Sequence, residues 1–318
     1  MPGQVVPVRI DVIIPAYNVA PYIGDAIRSV LAQPVPGWRI VVVDDGSTDE
    51  TAAVVRRFAA PRIKLIQQVN AGVSAARNAG AAAGASDAVL FLDADDWLGP
   101  DALAALSAAL AASPDAVAAV GPYARVRPGG RVSLLSRFRP SADLLARLLV
   151  RNEFPNGGHL LIRRRAMAAG GGFRTDLRYG EDWECWIRLA LQGQFVAAPA
   201  LAPVCFIRER GDGAYGQMAA DQMRFTTCLN AIHANPDVIA AIGTERLATL
   251  REMAEAENHW VTGRELIRHG QVAEGRRWLR RSVRLRPTPR RLLLLAGAMG
   301  LACIPDRWRG PFTPYMAG

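Results

Sequence analysis

Three apolar runs in this sequence end in residues able to do chemistry. Val12-Ile13-Ile14 runs into Pro15-Ala16-Tyr17-Asn18. Val41-Val42-Val43 runs into Asp44-Asp45-Gly46-Ser47, and the apolar run 88–92 into Asp93-Ala94-Asp95-Asp96-Trp97. If these runs are neighbouring strands, five carboxylates point toward one edge and repel unless a cation or hydrogen-bond donors compensate. An Asp-x-Asp after an apolar strand suits Mg²⁺ or Mn²⁺, hard cations that take oxygen ligands and bridge to substrate phosphates. The plainer readings are that Asp45 or Asp49 caps a helix and that Asp96 sits in a solvated turn. His159, in Asn156-Gly157-Gly158-His159, either faces a substrate or is an ordinary loop or core histidine.

The elements that must hold these residues are legible over the first 125 positions. Largely apolar runs at 9–14, 39–43, 63–67, 88–92 and 116–120 read as strands, the second of them apolar on both faces as a central parallel strand should be. Between them, Ile23, Ile27, Val30 and Leu31 recur at helical spacing, and a small-residue helix is expected over about 74–84. Ser47-Thr48-Asp49-Glu50 has the S-x-x-E form of a capping box. Pro100-Asp101 opens a further Ala/Leu helix. Strands alternating with helices predict βαβ units and a mainly parallel sheet, whose ligands bind outside the carboxyl ends of its strands. Residues 122–160 are less regular. Strand signals stop near 211 and helical stretches dominate beyond it, so a boundary is placed between 1–210 and 211–318.

Composition narrows the function classes. The chain has 318 residues, 50% hydrophobic and 21% charged, which fits a globular protein with a substantial core. The net charge is +9, and Lys64 is the only lysine. Residues 1–210 carry 23 Lys+Arg against 19 Asp+Glu, and 211–318 carry 15 against 10, so the shorter part holds more than half of the excess. Four cysteines without a CxxC pair make no disulfide framework, which favours a reduced, cytoplasmic setting. The N-terminus lacks a signal-peptide pattern, and no window reaches about 18 apolar residues free of charge. Neither G-x-G-x-x-G nor G-x-x-x-x-G-K-[ST] is present, so dinucleotide-fold and P-loop readings fall away. Gly170-Gly171-Gly172 reads as a turn.

Five blocks in order resemble family 2 glycosyltransferases of GT-A fold: Val12 to Asn18, Val41 to Thr51, Asn70 to Gly80, Phe91 to Trp97 and Gly180 to Ala190. The resemblance covers roughly residues 9–210. It implies a Rossmann-like, mainly parallel sheet flanked by helices, a nucleotide-diphosphate sugar donor (UDP-type favoured) and Mn²⁺ or Mg²⁺. Asp45, with Asp44 adjacent, would bond the base, and Pro15 and Tyr17 would frame the nucleoside. Arg77 matches a basic residue near the diphosphate. Asp93 and Asp95 match the metal motif, with Asp95 the first choice as ligand, Asp93 facing ribose or sugar, and Asp96 a substitute. Asp182, beside Glu181, matches the catalytic base; its plainer reading is a helix N-terminal acid above the core face of Trp183, Trp186, Ile187 and Leu189. One base and one displacement give inversion at the anomeric carbon.

The chain departs from the family where many members carry a histidine: it reads Phe206-Ile207-Arg208-Glu209-Arg210. Arg208 and Arg210 would contact the diphosphate there, or are surface arginines. Further on, eight arginines between 276 and 291 precede apolar residues to Ile304 and then Trp308. They read as a membrane-surface element over 270–310 or as a helical hairpin with a solvated Arg face. Nucleic acid is not an expected partner, because acids crowd the binding edge and no nucleic-acid motif accompanies the charge. The expected protein is thus an inverting, metal-dependent glycosyltransferase acting on a saccharide or lipid-linked acceptor of the cell envelope. It would be cytoplasmic or peripheral on the cytoplasmic membrane face. The alternatives are a non-catalytic carbohydrate or membrane-surface binding protein and a sugar nucleotidyltransferase.

Overall fold

A computed structural model describes residues 8–58, 60–209, 222–268 and 270–301. The elements run β1 (Ile10–Ala16), α1 (Ile23–Leu31), β2 (Trp38–Asp44), α2 (Thr51–Arg56), β3 (Ile63–Gln67), α3 (Val73–Ala82), β4 (Ala88–Phe91), β5 (Trp97–Leu98) and α4 (Ala102–Ala112). They continue with β6 (Ala118–Val120), β7 (Tyr123–Val126), β8 (Val132–Ser136), α5 (Leu144–Val150), β9 (Leu160–Arg163), α6 (Arg164–Ala169), α7 (Glu181–Gln192), β10 (Phe195–Ala197) and β11 (Cys205–Arg208). Five helices close the described chain: α8 (Gln222–His233), α9 (Pro236–Ile242), α10 (Thr244–Arg268), α11 (Val272–Leu285) and α12 (Pro289–Leu301).

Among the described residues, seven strands form a sheet in the order β10-β6-β9-β4-β1-β2-β3. All pair parallel except β9, which runs antiparallel between β4 and β6. The mixed α/β class, the mainly parallel sheet and the helical C-terminal region are those expected. β1 lies between β2 and β4, so the chain order reverses there and leaves a crevice at the carboxyl ends of β1, β2 and β4. The strands are buried along their length because helices cover both faces. α3 lies especially close: a Cβ at Gly80 would stand 2.4 Å from Ile13 Cγ2. Only glycine allows that approach, which carries the rest of the helix down onto the sheet.

Two features differ from expectation. Residues 122–160 are not simply irregular, since β7 and β8 join β5 and β11 in a second, four-stranded sheet, β5-β11-β7-β8. β8 sits at its edge and is exposed on both faces, so no apolar alternation announces it. The capping box at 47–50 does not form. α2 starts at Thr51 with Glu50 at the cap position making no side-chain cap bond, and Asp49 Oδ1 accepts from the Thr51 N–H (3.0 Å). Ser47 Oγ instead accepts from the Asn18 N–H (3.0 Å), and Asn18 Oδ1 accepts from the Thr48 N–H (2.8 Å). Asn18 takes the left-handed conformation (φ 51°) to do so, which its short polar side chain tolerates. These bonds tie the end of β1 to the end of β2.

The chain forms two compact units: the described residues of 1–145 and 154–211, and those of 146–153 and 212–301. Within the second, Trp260, Leu279, Leu294 and Ala298 form the core of α10, α11 and α12. No described helix is long and apolar enough to cross a membrane.

At the amino ends of β1, β2 and β4 the fully buried Asp11 accepts from Arg39, Arg164 and both the N–H (3.1 Å) and Oγ (2.7 Å) of Ser86. Burial works against its charge, but these bonds, with Arg39 foremost, hold the carboxyl below the ordinary Asp range. Asp11→Asn leaves two arginines facing a neutral amide, and should cost about 2–4 kcal/mol in denaturant unfolding. Because the folded-state value is depressed, this stabilisation is complete above about pH 4 and is lost as pH falls below it, so the deficit of the variant should shrink in acid. A variant as stable as the parent at neutral pH would show that the cluster contributes nothing.

Candidate active site

Asp44 and Asp45 end β2, and both side chains are buried. Asp44 accepts from the Ser47 N–H (3.0 Å) and Gln67 Nε2 (3.0 Å). Asp45 accepts from Gln68 Nε2 (2.7 Å) and the N–H groups of Ala71 (2.9 Å) and Gly72 (2.8 Å). The loop before α3 therefore folds over Asp45. Gly46, with φ 77°, permits this, since a Cβ there would stand 2.9 Å from Asn70 N. Pro15 is buried in β1, and Tyr17 just beyond it is 51% exposed at the crevice edge.

Arg77 is the centre of the site. It lies one turn before Gly80 on the same face of α3, so the close helix packing buries it to 7% side-chain exposure. Its Nη2 donates to Asp93 Oδ1 (3.0 Å) and its Nη1 to Glu181 Oε1 (2.9 Å). The guanidinium lies 5.2 Å from the Phe173 ring centroid. Burial opposes the charge, but Asp93 and Glu181 outweigh it and hold Arg77 protonated. Phe173 is fixed in turn by Asn78, whose Nδ2 donates to Phe173 O (2.7 Å) and whose Oδ1 accepts from the Phe173 N–H (2.8 Å). Thus α3 brings the acid after β4 and the first turn of α7 together.

α7 begins at Glu181 after Gly180, which takes a left-handed conformation (φ 71°). Glu181, Asp182 and Glu184 fill its first turn, where the helix dipole favours acids. Trp183, Trp186, Ile187 and Leu189 are buried beneath, as the spacing predicted. Asp182 stands out electrostatically. Burial pushes its carboxyl up to about 7, Glu181 adds to the rise, and Arg77 opposes it. A half-protonated carboxyl at neutral pH is suited to proton transfer.

The Asp93–Asp96 segment is a turn, closed by the Asp96 N–H donating to Asp93 O (3.0 Å). Asp93 and Asp95 are partly exposed, whereas Asp96 is buried. Its two oxygens accept from Asn156 Nδ2 (2.5 Å) and the Arg208 N–H (2.8 Å). Asp96 is therefore turned inward and is no solvated turn residue. Burial, reinforced by Asp93 and Asp95, raises its carboxyl well above the ordinary range. Arg208 does reach this site: Nε donates to Asp95 O (2.9 Å) and Nη2 to Asp25 Oδ2 (2.9 Å). Its guanidinium stacks near Tyr22 (5.2 Å) and Trp97 (4.9 Å), so it is no loose surface arginine. Arg210 lies outside the described residues.

His159 is a correction to the substrate-facing alternative. It is 1% exposed, packed between Tyr123 (4.8 Å) and Phe154 (5.9 Å), with Nδ1 3.3 Å from Asn156 Oδ1. Burial, aided by Arg125, pushes its imidazole down to about 3, so the ring stays neutral. Sequence reasoning missed Asn78, Phe173 and Asn156 as supports. Asn78 and Asn156 stand inside quoted motifs, but nothing local announces Phe173, whose contacts come from 95 positions away.

A model of glycosyl transferase family 2 matches residues 11–170. Succinoglycan biosynthesis protein ExoO of Rhizobium meliloti (strain 1021) is 33% identical over 209 residues, 62% of this chain and 60% of that protein. The chain spans less than two thirds of the length of the curated relatives it matches. TarS of S. aureus (residues 1–349, in complex with UDP-GlcNAc) superposes with a TM-score of 0.64 at 19% identity, covering 90% of this chain and 83% of that one. The mannosyltransferase PcManGT from Pyrobaculum calidifontis, in complex with GDP-Man and Mn²⁺, gives 0.60 at 21% identity, covering 96% and 84%. At such identities the superpositions speak for the fold. The family match takes in all three strand ends that form the crevice, and on that extent the chain belongs to glycosyl transferase family 2.

Proposed function

We propose that this chain is an inverting glycosyltransferase. It moves a sugar from a nucleotide diphosphate, UDP-type, to a hydroxyl of a saccharide or lipid-linked glycan of the cell envelope, and residues 1–210 hold the catalytic machinery. The observation that carries this is Arg77 joining Asp93 to the first turn of α7, which puts an acid with a raised proton affinity beside the acids at the strand ends. The relatives support the donor class: TarS is in complex with UDP-GlcNAc and PcManGT with GDP-Man and Mn²⁺.

Asp45 with Asp44 would receive the base, beside Pro15 and Tyr17, and Asp93 the ribose or sugar. Asp182 orients the acceptor hydroxyl and takes its proton as the oxygen attacks the anomeric carbon. The bond from that carbon to the diphosphate breaks, and the leaving oxygen keeps the electron pair, which inverts the centre. Arg77 is spent on two carboxylates, so its part in charge balance is to hold Asp93 and α7 in place. Arg208, and Arg210 in sequence, are the other candidates to face the diphosphate.

Asp95 and Asp93 offer hard oxygen donors that fit Mn²⁺ or Mg²⁺. No group of three or more His, Cys, Asp or Glu able to hold a metal occurs among the described residues. Two carboxylates completed by donor oxygens is how such ions commonly bind in phosphate chemistry. When bound, the ion would offset charge growing on the leaving diphosphate.

The C-terminal helical region is proposed to rest on the cytoplasmic face of an anionic membrane. On α11, Arg277, Arg280, Arg281 and Arg284 lie at helical spacing and are exposed. On α12, Leu292, Leu293 (73% exposed) and Met299 are exposed. The rest of the 270–310 stretch, with Ile304 and Trp308, lies outside the described residues.

Three outcomes test this function. Donor hydrolysis should require Mn²⁺ or Mg²⁺ and be lost in Asp95→Ala. Binding of sugar nucleotides without cleavage would favour the non-catalytic alternative, and formation of sugar nucleotides the nucleotidyltransferase. Transfer should rise about tenfold per pH unit up to about pH 7 and then level, because Asp182 must be ionised to accept the proton. Asp182→Asn should lower kcat by about 10²–10⁴ and abolish that limb, and a persisting limb would move the base elsewhere. Finally, the full chain should co-sediment with phosphatidylglycerol-containing vesicles and not with pure phosphatidylcholine, with binding weakened by salt and by Arg280→Gln/Arg284→Gln.

A further inference from the structure

The acid next to the proposed metal ligand does a different job from its neighbours. Asp96 is buried while Asp93 and Asp95 are partly exposed, and its carboxylate accepts from Asn156 Nδ2 (2.5 Å) and the Arg208 N–H (2.8 Å). Asn156 has only one way to serve it. Its Oδ1 accepts from the Gly158 N–H (3.1 Å) and faces His159 Nδ1 (3.3 Å), so its NH₂ must point at Asp96. The neutral His159 can keep a proton on Nδ1 for that contact. On the other side, Arg208 also donates from Nε to Asp95 O, and is anchored by Asp25 and stacked near Tyr22 and Trp97. Trp97 stacks on Phe206 (5.4 Å), two residues before Arg208.

We infer that Asp96 is a positioning residue. With Asn156 and Arg208 it locks the Asp93–Asp96 turn from both sides, so that the Asp95 side chain is presented to the cation at a fixed place. His159 is the far end of this lock. The inference rests on reading Asp95 as a ligand of Mn²⁺ or Mg²⁺, and it assigns roles to Asp96, Asn156 and His159 that differ from ligation or substrate contact.

The test measures Mn²⁺ affinity of the full chain by calorimetry with UDP present, alongside its melting temperature. Asp96→Asn swaps an acceptor for a donor opposite Asn156 and should weaken Mn²⁺ binding about ten- to a hundredfold. The double variant Asp96→Asn/Asn156→Asp restores a donor–acceptor pair across the same gap and should recover part of that affinity. A residue that only stabilises the fold would lower the melting temperature and leave Mn²⁺ affinity alone, and that result overturns the inference. So does loss of all Mn²⁺ binding in Asp96→Asn together with its retention in Asp95→Asn, which would make Asp96 the ligand. If Asp96→Asn does not fold, Asn156→Ala carries the same expectation and the same refutation. A wild-type chain that binds no Mn²⁺ with UDP fails the metal-dependent reading itself, a result distinct from an unaffected Asp96→Asn.

Discussion

One buried cation organises this molecule's reactive edge. Arg77 offers two nitrogens to two carboxylates, Asp93 and Glu181, that lie 88 positions apart in the chain. An arginine buried this deeply is tolerated only when paired, and a carboxylate beside it is held in turn. The guanidinium fork sets both direction and distance, which a lysine's point charge would not. The position of Arg77 depends on Gly80, whose missing Cβ lets α3 press onto β1. A glycine thus sets the depth of a helix, the helix sets the depth of an arginine, and the arginine sets the spacing of two acids.

The molecule separates this reactive charge cluster from a structural one. At the amino ends of β1, β2 and β4, Asp11 is enclosed by Arg39, Arg164 and Ser86, and its carboxyl is held in the ionised state. At the carboxyl ends of the same strands the balance tilts the other way: Asp96 and Asp182 are pushed toward protonation. The same parallel sheet produces both results. One end has enough donors for its acid. The other gathers more acids than Arg77 and Arg208 can compensate.

Five strands of the first 120 residues, their order of acids and the helical start at Glu181 were legible in the sequence because each is local. β-branched runs mark buried parallel strands, and apolar residues at helical spacing mark the α7 core. The family match followed from motifs that those elements carry. What was not legible depends on contacts distant in sequence. Ser47 reads as the start of a capping box, yet its hydroxyl serves Asn18, 29 positions earlier. β8 has no periodicity because it lies at a sheet edge with both faces exposed. Asp96 looks like its two acidic neighbours in sequence, and only Asn156, 60 positions on, turns it inward. His159 is polar by type and sits in a Gly-rich loop, but Tyr123 and Phe154 close over it.

The surplus of acid at this edge also bears on what can enter it. The net charge of +9 suggests a molecule that attracts anions, but more than half of that excess lies in 211–318, not in the part that carries this edge. Locally, the charge of Asp93, Asp95 and Glu181 is part of what pushes their neighbours Asp96 and Asp182 toward protonation, so this edge is already loaded with negative charge. In a partly desolvated crevice, like charges act with far more force than in water. A diphosphate donor of the kind proposed, arriving there alone, would meet repulsion that its other contacts must overcome. A divalent cation held by Asp93 and Asp95, as proposed, would offset that repulsion. On electrostatic grounds, then, a cation and a diphosphate bound here as proposed would favour each other, and affinity for either one alone would understate affinity for the pair.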